Sequence, residues 1–326
     1  MRESAVSIGQ LDAPFRGILF IIAGISIFSI QDVVIKWISG DYSVHQILFV
    51  RSVVALVPLF VIVRLNGGLA SLRTRRPVIH LVRAILMLLA YTTFYLALSA
   101  MKLADTVALF FSAPLFVTAL SVPCLGETVG FRRWAAVSVG FVGVLVMIRP
   151  GSGVIEPAAL LAVAAALFYA TSAMLTRRLG ATDNGASMTF YATTIYVVIT
   201  AGLGLALGDG ALDQNGHVSL QFLLRAWVWP TWPDFALMAF CGLIAAFGFY
   251  CLSQAYRLAQ VNVVAPFEYV ALPWAVAWGF VFWGDIPDAQ TMAGISLVVG
   301  SGLYVLHREA LRGRRTVAIR GIRPRV

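Results

Sequence analysis

The sequence predicts an all-α membrane protein, with ten transmembrane helices forming two inverted five-helix repeats. Three observations predict it. Of the 326 residues 60% are hydrophobic and only 12% are charged, where a soluble domain is about 25% charged. Ten apolar segments each approach the roughly 20 residues that a helix needs to cross the hydrocarbon core. Finally, the second half of the chain repeats features of the first.

The segments are 17–39, 44–64, 78–100, 104–125, 133–149, 157–177, 186–207, 235–256, 261–283 and 289–307. Their unbroken apolar character predicts helices rather than barrel strands, which alternate apolar and polar over shorter stretches. Residues 1–16 hold neither a short apolar core nor a small-residue cleavage site. They read as a cytoplasmic N-terminus, followed by a span that is retained. Residues 17–149 make the first repeat, 150–156 a Pro- and Gly-containing linker, and 157–307 the second repeat with a 208–233 external loop. Residues 308–326 form a basic cytoplasmic tail.

Charge placement orients the bundle. With the N-terminus inside, 19 of the 24 Lys and Arg residues fall on the cytoplasmic side. Only Lys102, Arg149 and Arg225 lie outside, and Lys36 and Arg51 lie within spans. Asp41, Asp105, Glu156, Asp209, Asp213, Asp234, Asp285 and Asp288 fall outside. Cytoplasmic loops are the ones enriched in Lys and Arg, so both termini are expected inside. The formal charge of +9 therefore records orientation and implies no nucleic-acid partner. The Arg-rich tail suits anionic membrane lipid.

The repeat shows in FYLALSAMKLAD (94–105) and FYCLSQAYRLAQ (249–260), which share Phe94/Phe249, Tyr95/Tyr250, Ala100/Ala255, Leu103/Leu258 and Ala104/Ala259. Gly126-Glu127 and Gly284-Asp285 form a further pair, as do Phe28 and Phe168. Five spans per copy is an odd number, so the second copy is expected upside down. Secondary transporters recurrently use this plan, with the substrate site near the midplane.

Four ionisable residues fall inside spans: Asp32, Lys36, Arg51 and Glu268. A charge at the centre of a membrane helix costs ~2.5–3.5 kcal/mol on insertion scales. Asp32 and Lys36 stand i,i+4 on one face, and Asp32 and Arg51 lie at similar depth, ~10 Å below their helix ends. The cluster suits either a binding or gating role or a helix-orienting ion pair. Glu268 sits in Pro266-Phe267-Glu268-Tyr269, with Pro273 following. Pro266 removes a helical hydrogen bond, and Pro114 in span 4 is its counterpart. Matched interruptions in two halves point to a binding site. Tyr91 and Tyr95, and Tyr250 and Gln254, are spaced four apart, and Tyr269 and Trp274 follow Glu268 on span 9. These are the candidate walls for a flat, partly apolar metabolite, or ordinary packing.

Cys124, Cys241 and Cys251 read as small buried hydrophobes, and no His has a ligand partner at metal spacing. No metal, cofactor or enzymatic motif is indicated. Gly140, Gly143, Gly294, Gly300 and Gly302 permit close helix contact in spans 5 and 10, which suits a scaffold or a homodimer seam.

The segments RPVIHLVRAILMLLAYTTFYLAL (76–98), SAPLFVTALSVPCLGETVGFRRWAAVSVGFVGVLVMIRPG (112–151) and VVAPFEYVALPWAVAWGFVFWGDIPD (263–288), in this order and spacing, resemble the drug/metabolite transporter superfamily, EamA type. The likeness spans about residues 17–307 and is similar to the subgroup of S-adenosylmethionine and riboflavin carriers. It implies a bacterial-type inner-membrane secondary carrier with a central cavity for a small organic metabolite, working by alternating access. The resemblance leaves substrate and direction open, and export of amino acids or amphiphilic drugs is the alternative. A non-transporting membrane scaffold is the distant one. The Pro266–Tyr269 stretch departs from the first half by placing a carboxylate where that half has Ala113.

Overall fold

The computed structural model describes residues 8–65, 68, 72–74, 76–125, 130–149, 157–179, 185–213, 216–258 and 264–321. All regular structure among them is helical. In chain order the helices are α1 (Ile8–Ile38), α2 (Val44–Leu65), α3 (Pro77–Ala100), α4 (Leu103–Phe110), α5 (Ala113–Leu125), α6 (Phe131–Ile148) and α7 (Pro157–Leu179). There follow α8 (Gly185–Leu207), α9 (Val218–Leu224), α10 (Trp232–Leu258), a 3₁₀-helix (Ala265–Val270), α11 (Ala271–Trp283) and α12 (Ala289–Gly321).

Seven of the described segments are long and apolar enough to cross a membrane: Phe15–Ile38, Val44–Leu65, Pro77–Ala100, Leu103–Cys124, Pro157–Thr176, Gly185–Leu207 and Trp232–Leu252. Trp134–Ile148 and Ala289–Val305 are shorter apolar helices. Large apolar side chains such as Val57, Leu205 and Phe280 face outward, as a lipid-facing surface requires and a water-facing one does not.

Local chemistry sets the ends. Pro77 stands in the first turn of α3, where its missing N–H costs nothing. α11 stops at Gly284, which takes the left-handed conformation (φ 67) and returns its N–H to Phe280 O at 3.0 Å. α4 stops at Phe111-Ser112, because Pro114 has no N–H to continue the ladder and its ring would clash with the Phe110 carbonyl. The Ser112 hydroxyl instead donates to Leu109 O at 2.7 Å. Pro266 and Pro273 bracket the matching irregularity, where Ala265–Val270 winds as a 3₁₀-helix before α11. Two features differ from the sequence expectation. The 208–233 loop contains α9, and α12 runs on through the basic tail to Gly321. Leu, Arg and Ala favour that continuation and no proline interrupts it.

The two halves interleave. α1 packs mainly on α10 and α3 on α7, while α2 meets α8, α4 meets α11 and α6 meets α12. At the α6–α12 crossing the backbones touch. A Cβ on Gly143 would lie 2.9 Å from Gly294 O, and one on Gly294 would lie 2.9 Å from Gly143 O. Gly300, by contrast, faces open space. The glycine seam that the sequence offers is thus occupied within the chain.

α9 closes the end of the bundle where α1 and α3 finish. Phe222 is fully buried in the main core. Ser219 Oγ donates to Leu96 O at 2.7 Å, and Arg225 Nη1 to Ser39 O at 2.8 Å. Trp227 Nε1 donates to His45 Nδ1 at 2.8 Å, while Trp229 and Trp232 stay exposed. At the same end Asp288 caps α12 through Thr291 N (2.8 Å) and pairs with Arg149. The Arg149 guanidinium and that backbone N–H pull the Asp288 carboxyl down to about 2.

Candidate functional site

A cavity of about 270 Å³ lies in the middle of the bundle, walled by α1, α3, α4, α7, α10, the 3₁₀-helix and α11. It stands just below the ~300–1,000 Å³ typical of small-molecule pockets. Ile25, Phe28, Ser29 and Asp32 are spaced three or four apart along α1, so one face of that helix supplies one wall. Met87, Ala90, Tyr91, Phe94 and Tyr95 do the same from α3. The two irregular elements supply the rest. Phe110 and Phe111 come from the end of α4, and Glu268 and Ala271 come from the 3₁₀-helix and the start of α11. The irregularities are therefore where the chain turns side chains into the cavity.

Eight aromatic rings line it: Phe28, Tyr91, Phe94, Tyr95, Phe110, Phe111, Tyr169 and Phe249. They are held by one another. Phe28 meets Phe249 edge-on at 5.5 Å, and Phe94 meets Phe110 at 5.3 Å. Phe110 in turn meets Tyr169 at 5.4 Å. Such edge-to-face pairs fix ring planes as well as filling space. The polar atoms on this wall come from Ser29, Gln31, Asp32, Glu268 and the three tyrosines. Asp32 and Glu268 make it acceptor-rich.

Arg51 stands behind the aromatic wall. It is buried, its Nη1 donates to the Tyr95 hydroxyl at 3.1 Å, and its guanidinium lies 4.8 Å from the centre of the Tyr91 ring. A planar guanidinium suits both contacts. The charge of Arg51 also acts on Asp32. Gln31 Nε2 donates to the same Tyr95 oxygen at 2.7 Å.

Of the residues singled out in the sequence, Asp32, Tyr91, Tyr95 and Glu268 line the cavity and Arg51 backs it. Lys36 turns away. It donates to the carbonyls of Leu98 (2.9 Å) and Met101 and sits 5.3 Å from the centre of the Trp283 ring, capping α3. Tyr269 is buried beside the cavity, stacked on Phe111. Tyr250 is exposed, and neither it nor Gln254 lies on the wall. Pro114 and Pro266 stand at the two helix breaks, while Pro273 is exposed in α11. Trp274 and Trp278 bind α11 to α1 through Ser26 (2.9 Å) and Ser29 (3.0 Å). Gln31, Tyr169 and the five phenylalanines were not expected. Gln31 could have been found from its place beside Asp32 inside an apolar span, and Tyr169 from its position next to Phe168, the repeat partner of Phe28.

A family model described as the EamA-like transporter family matches the chain twice, over residues 15–149 and 156–306. The chain belongs to the EamA-like transporter family. The two matches make it a protein of two EamA repeats within the drug/metabolite transporter superfamily. A riboflavin transporter of Rhizobium johnstonii is 29% identical to it, covering 97% of this chain and 98% of that one. An S-adenosylmethionine uptake transporter of Rickettsia prowazekii is 24% identical, covering 90% of this chain and 93% of the relative. A solved crystal structure, 17% identical, superposes with a TM-score of 0.58 over 91% of this chain and 97% of that one, a likeness of fold alone. As an EamA transporter the protein is a multi-pass membrane protein whose relatives move small molecules.

Proposed function

We propose that this EamA protein is a secondary active transporter that carries a flat heteroaromatic metabolite of the riboflavin type by alternating access. The observation that carries this reading is the central cavity itself, lined by eight aromatic rings and two carboxylates. Rings of this kind pack on a planar ligand, and acceptors fix its N–H and O–H edges. The relative at 29% identity, a riboflavin transporter, supports the choice.

Ten spans in two inverted five-helix halves are the architecture of this reading. The reciprocal packing supports it: α1 on α10 is mirrored by α3 on α7, and the helix break at Phe111-Ser112 is mirrored by the 3₁₀-helix. Both termini then lie in the cytoplasm and α9 closes the outer end, as the Lys and Arg placement requires. The membrane is the bacterial inner membrane.

A second reading has its own observation. Asp32 and Glu268, both lining the cavity, also suit a cation, which favours S-adenosylmethionine or a cationic amphiphile. Counterflow in proteoliposomes decides between them. Vesicles preloaded with unlabelled riboflavin are expected to accumulate labelled riboflavin, and those loaded with S-adenosylmethionine or aromatic amino acids are not. Accumulation only with S-adenosylmethionine selects the second reading, and no flux with any of the panel defeats both.

A further inference from the structure

We infer that Gln31 is a specificity residue of the cavity, its amide oxygen accepting a hydrogen bond from an N–H on the edge of a planar substrate. This rests on the transport reading above and names the substrate class more narrowly: a heteroaromatic ring that carries an imide- or amide-type N–H.

The argument begins with how Gln31 is held. Its side chain is buried, only 1% exposed, yet it lies on the cavity wall. The Nε2 end is engaged by the Tyr95 hydroxyl at 2.7 Å, and Tyr95 is itself fixed by Arg51 at 3.1 Å. The amide therefore cannot swing freely, and its other end has a set direction. That other end, Oε1, has no hydrogen-bond partner among the described residues. An amide oxygen buried without a partner is costly, and the cost is relieved by any ligand that brings a donor to it. No described side chain brings a donor to it: the Tyr95 hydroxyl is already engaged by Nε2 and by Arg51, and Asp32, the next residue, carries acceptors when ionised. The donor then comes from the substrate, and the neighbouring Tyr91 and Tyr95 rings, with planes 14° apart, suit a flat one.

A site built to hydrogen-bond a substrate rejects the analogue that lacks the donor, because its own buried polar group is then left unpaired. The probes are labelled riboflavin and unlabelled competitors: riboflavin itself and riboflavin methylated on its imide nitrogen. In wild-type proteoliposomes the methylated competitor is expected to be about tenfold weaker than riboflavin, the effect of one neutral hydrogen bond. Gln31→Leu is expected to bring that ratio close to one, and Gln31→Met, which keeps the length of the side chain, to do the same if the first variant fails to fold. Tyr95→Phe removes the hydroxyl that holds the Gln31 amide, so it is expected to lower the discrimination, and full discrimination in that variant counts against the assigned orientation. An unchanged ratio in the Gln31 variants, or no discrimination by the wild type, overturns the assignment while leaving riboflavin transport standing. No riboflavin flux in the wild type overturns the transport reading and this one together.

Discussion

Phe111 and Tyr269 stack face to face, ring centroids 4.7 Å apart and planes within 26°. One belongs to the break between α4 and α5, the other to the 3₁₀-helix ahead of α11, so the two irregular elements meet through these rings. They also stand at the same spacing, 158 residues, as Gly126-Glu127 and Gly284-Asp285 in the sequence repeat. The stack brings the repeat-related breaks together at the edge of the cavity and sets how far apart its Phe110 and Glu268 walls stand.

Tyr269 holds this place at a cost, because its hydroxyl is buried without a hydrogen-bond partner among the described residues. The hydroxyl abuts Gly302, where an added Cβ would come into hard collision with it. Gly302→Ala is expected to destabilise the protein by ~1–3 kcal/mol through overpacking. Tyr269→Phe alone is expected to be neutral or mildly stabilising. In the double variant most of the loss should return, since the colliding oxygen is gone. Detergent-solubilised melting curves of the four proteins form the cycle, and a double variant no better than Gly302→Ala would refute the contact.

Phe222 should behave unlike a loop residue. α9 has only seven residues, yet Phe222 is 1% exposed and belongs to the main core. Phe222→Ala is expected to cost ~3–5 kcal/mol, the range for deleting a buried aromatic. Exposed Trp229, in the same connection, is 98% accessible, and Trp229→Ala is expected to leave the melting temperature unchanged. Equal effects at the two positions would show that α9 is not docked as described.

How much of this is legible from the sequence depends on what kind of group does the work. Span ends are legible because apolar runs start at Pro77 and Pro157 and stop at Gly284, whose backbone chemistry acts locally. Asp32 and Glu268 stand out because a charge inside an apolar run is expensive. Lys36 misleads for the same reason: its partners are the carbonyls of Leu98 and Met101, and backbone groups leave no mark in a sequence. Tyr250 carries the repeat-matched position of Tyr95 but faces outward, since α10 is apolar all round and periodicity does not reveal its inner face. Gln31 is uncharged: its place beside Asp32 in an apolar span marks it only weakly, and the geometry of its Tyr95 contact is what separates it from packing.

The Arg149–Asp288 pair predicts an acid dependence whose sign is fixed by the depressed carboxyl. Asp288 titrates at about 2 in the folded protein, below the ~3.9 of an unfolded Asp. Its stabilising effect is therefore complete above the unfolded value and is lost as the pH falls through about 2. Asp288→Asn keeps a capping oxygen for Thr291 N but abolishes the charge. Its melting temperature should sit slightly below the wild type at neutral pH, by the small amount typical of an exposed pair. The gap should close towards pH 2, and a gap that widens on acidification would contradict the pairing.

Glu268 and Asp32 are expected to matter to transport more than to folding. Both line the cavity, and both carry the acceptors that its aromatic wall lacks. Glu268→Gln keeps the shape of the side chain while removing its charge, and it is expected to reduce substrate flux about tenfold or more, the effect of one charged hydrogen bond. Asp32→Asn should do the same if it faces the ligand. If Asp32 chiefly balances Arg51 behind the Tyr91–Tyr95 wall, Asp32→Asn should instead lower thermal stability and leave the apparent substrate affinity intact. Measuring flux against substrate concentration alongside melting temperature separates these outcomes. Normal flux and an unaltered pH profile in Glu268→Gln would remove that carboxylate from the transport cycle, and with it the strongest chemical reason for a donor-bearing substrate.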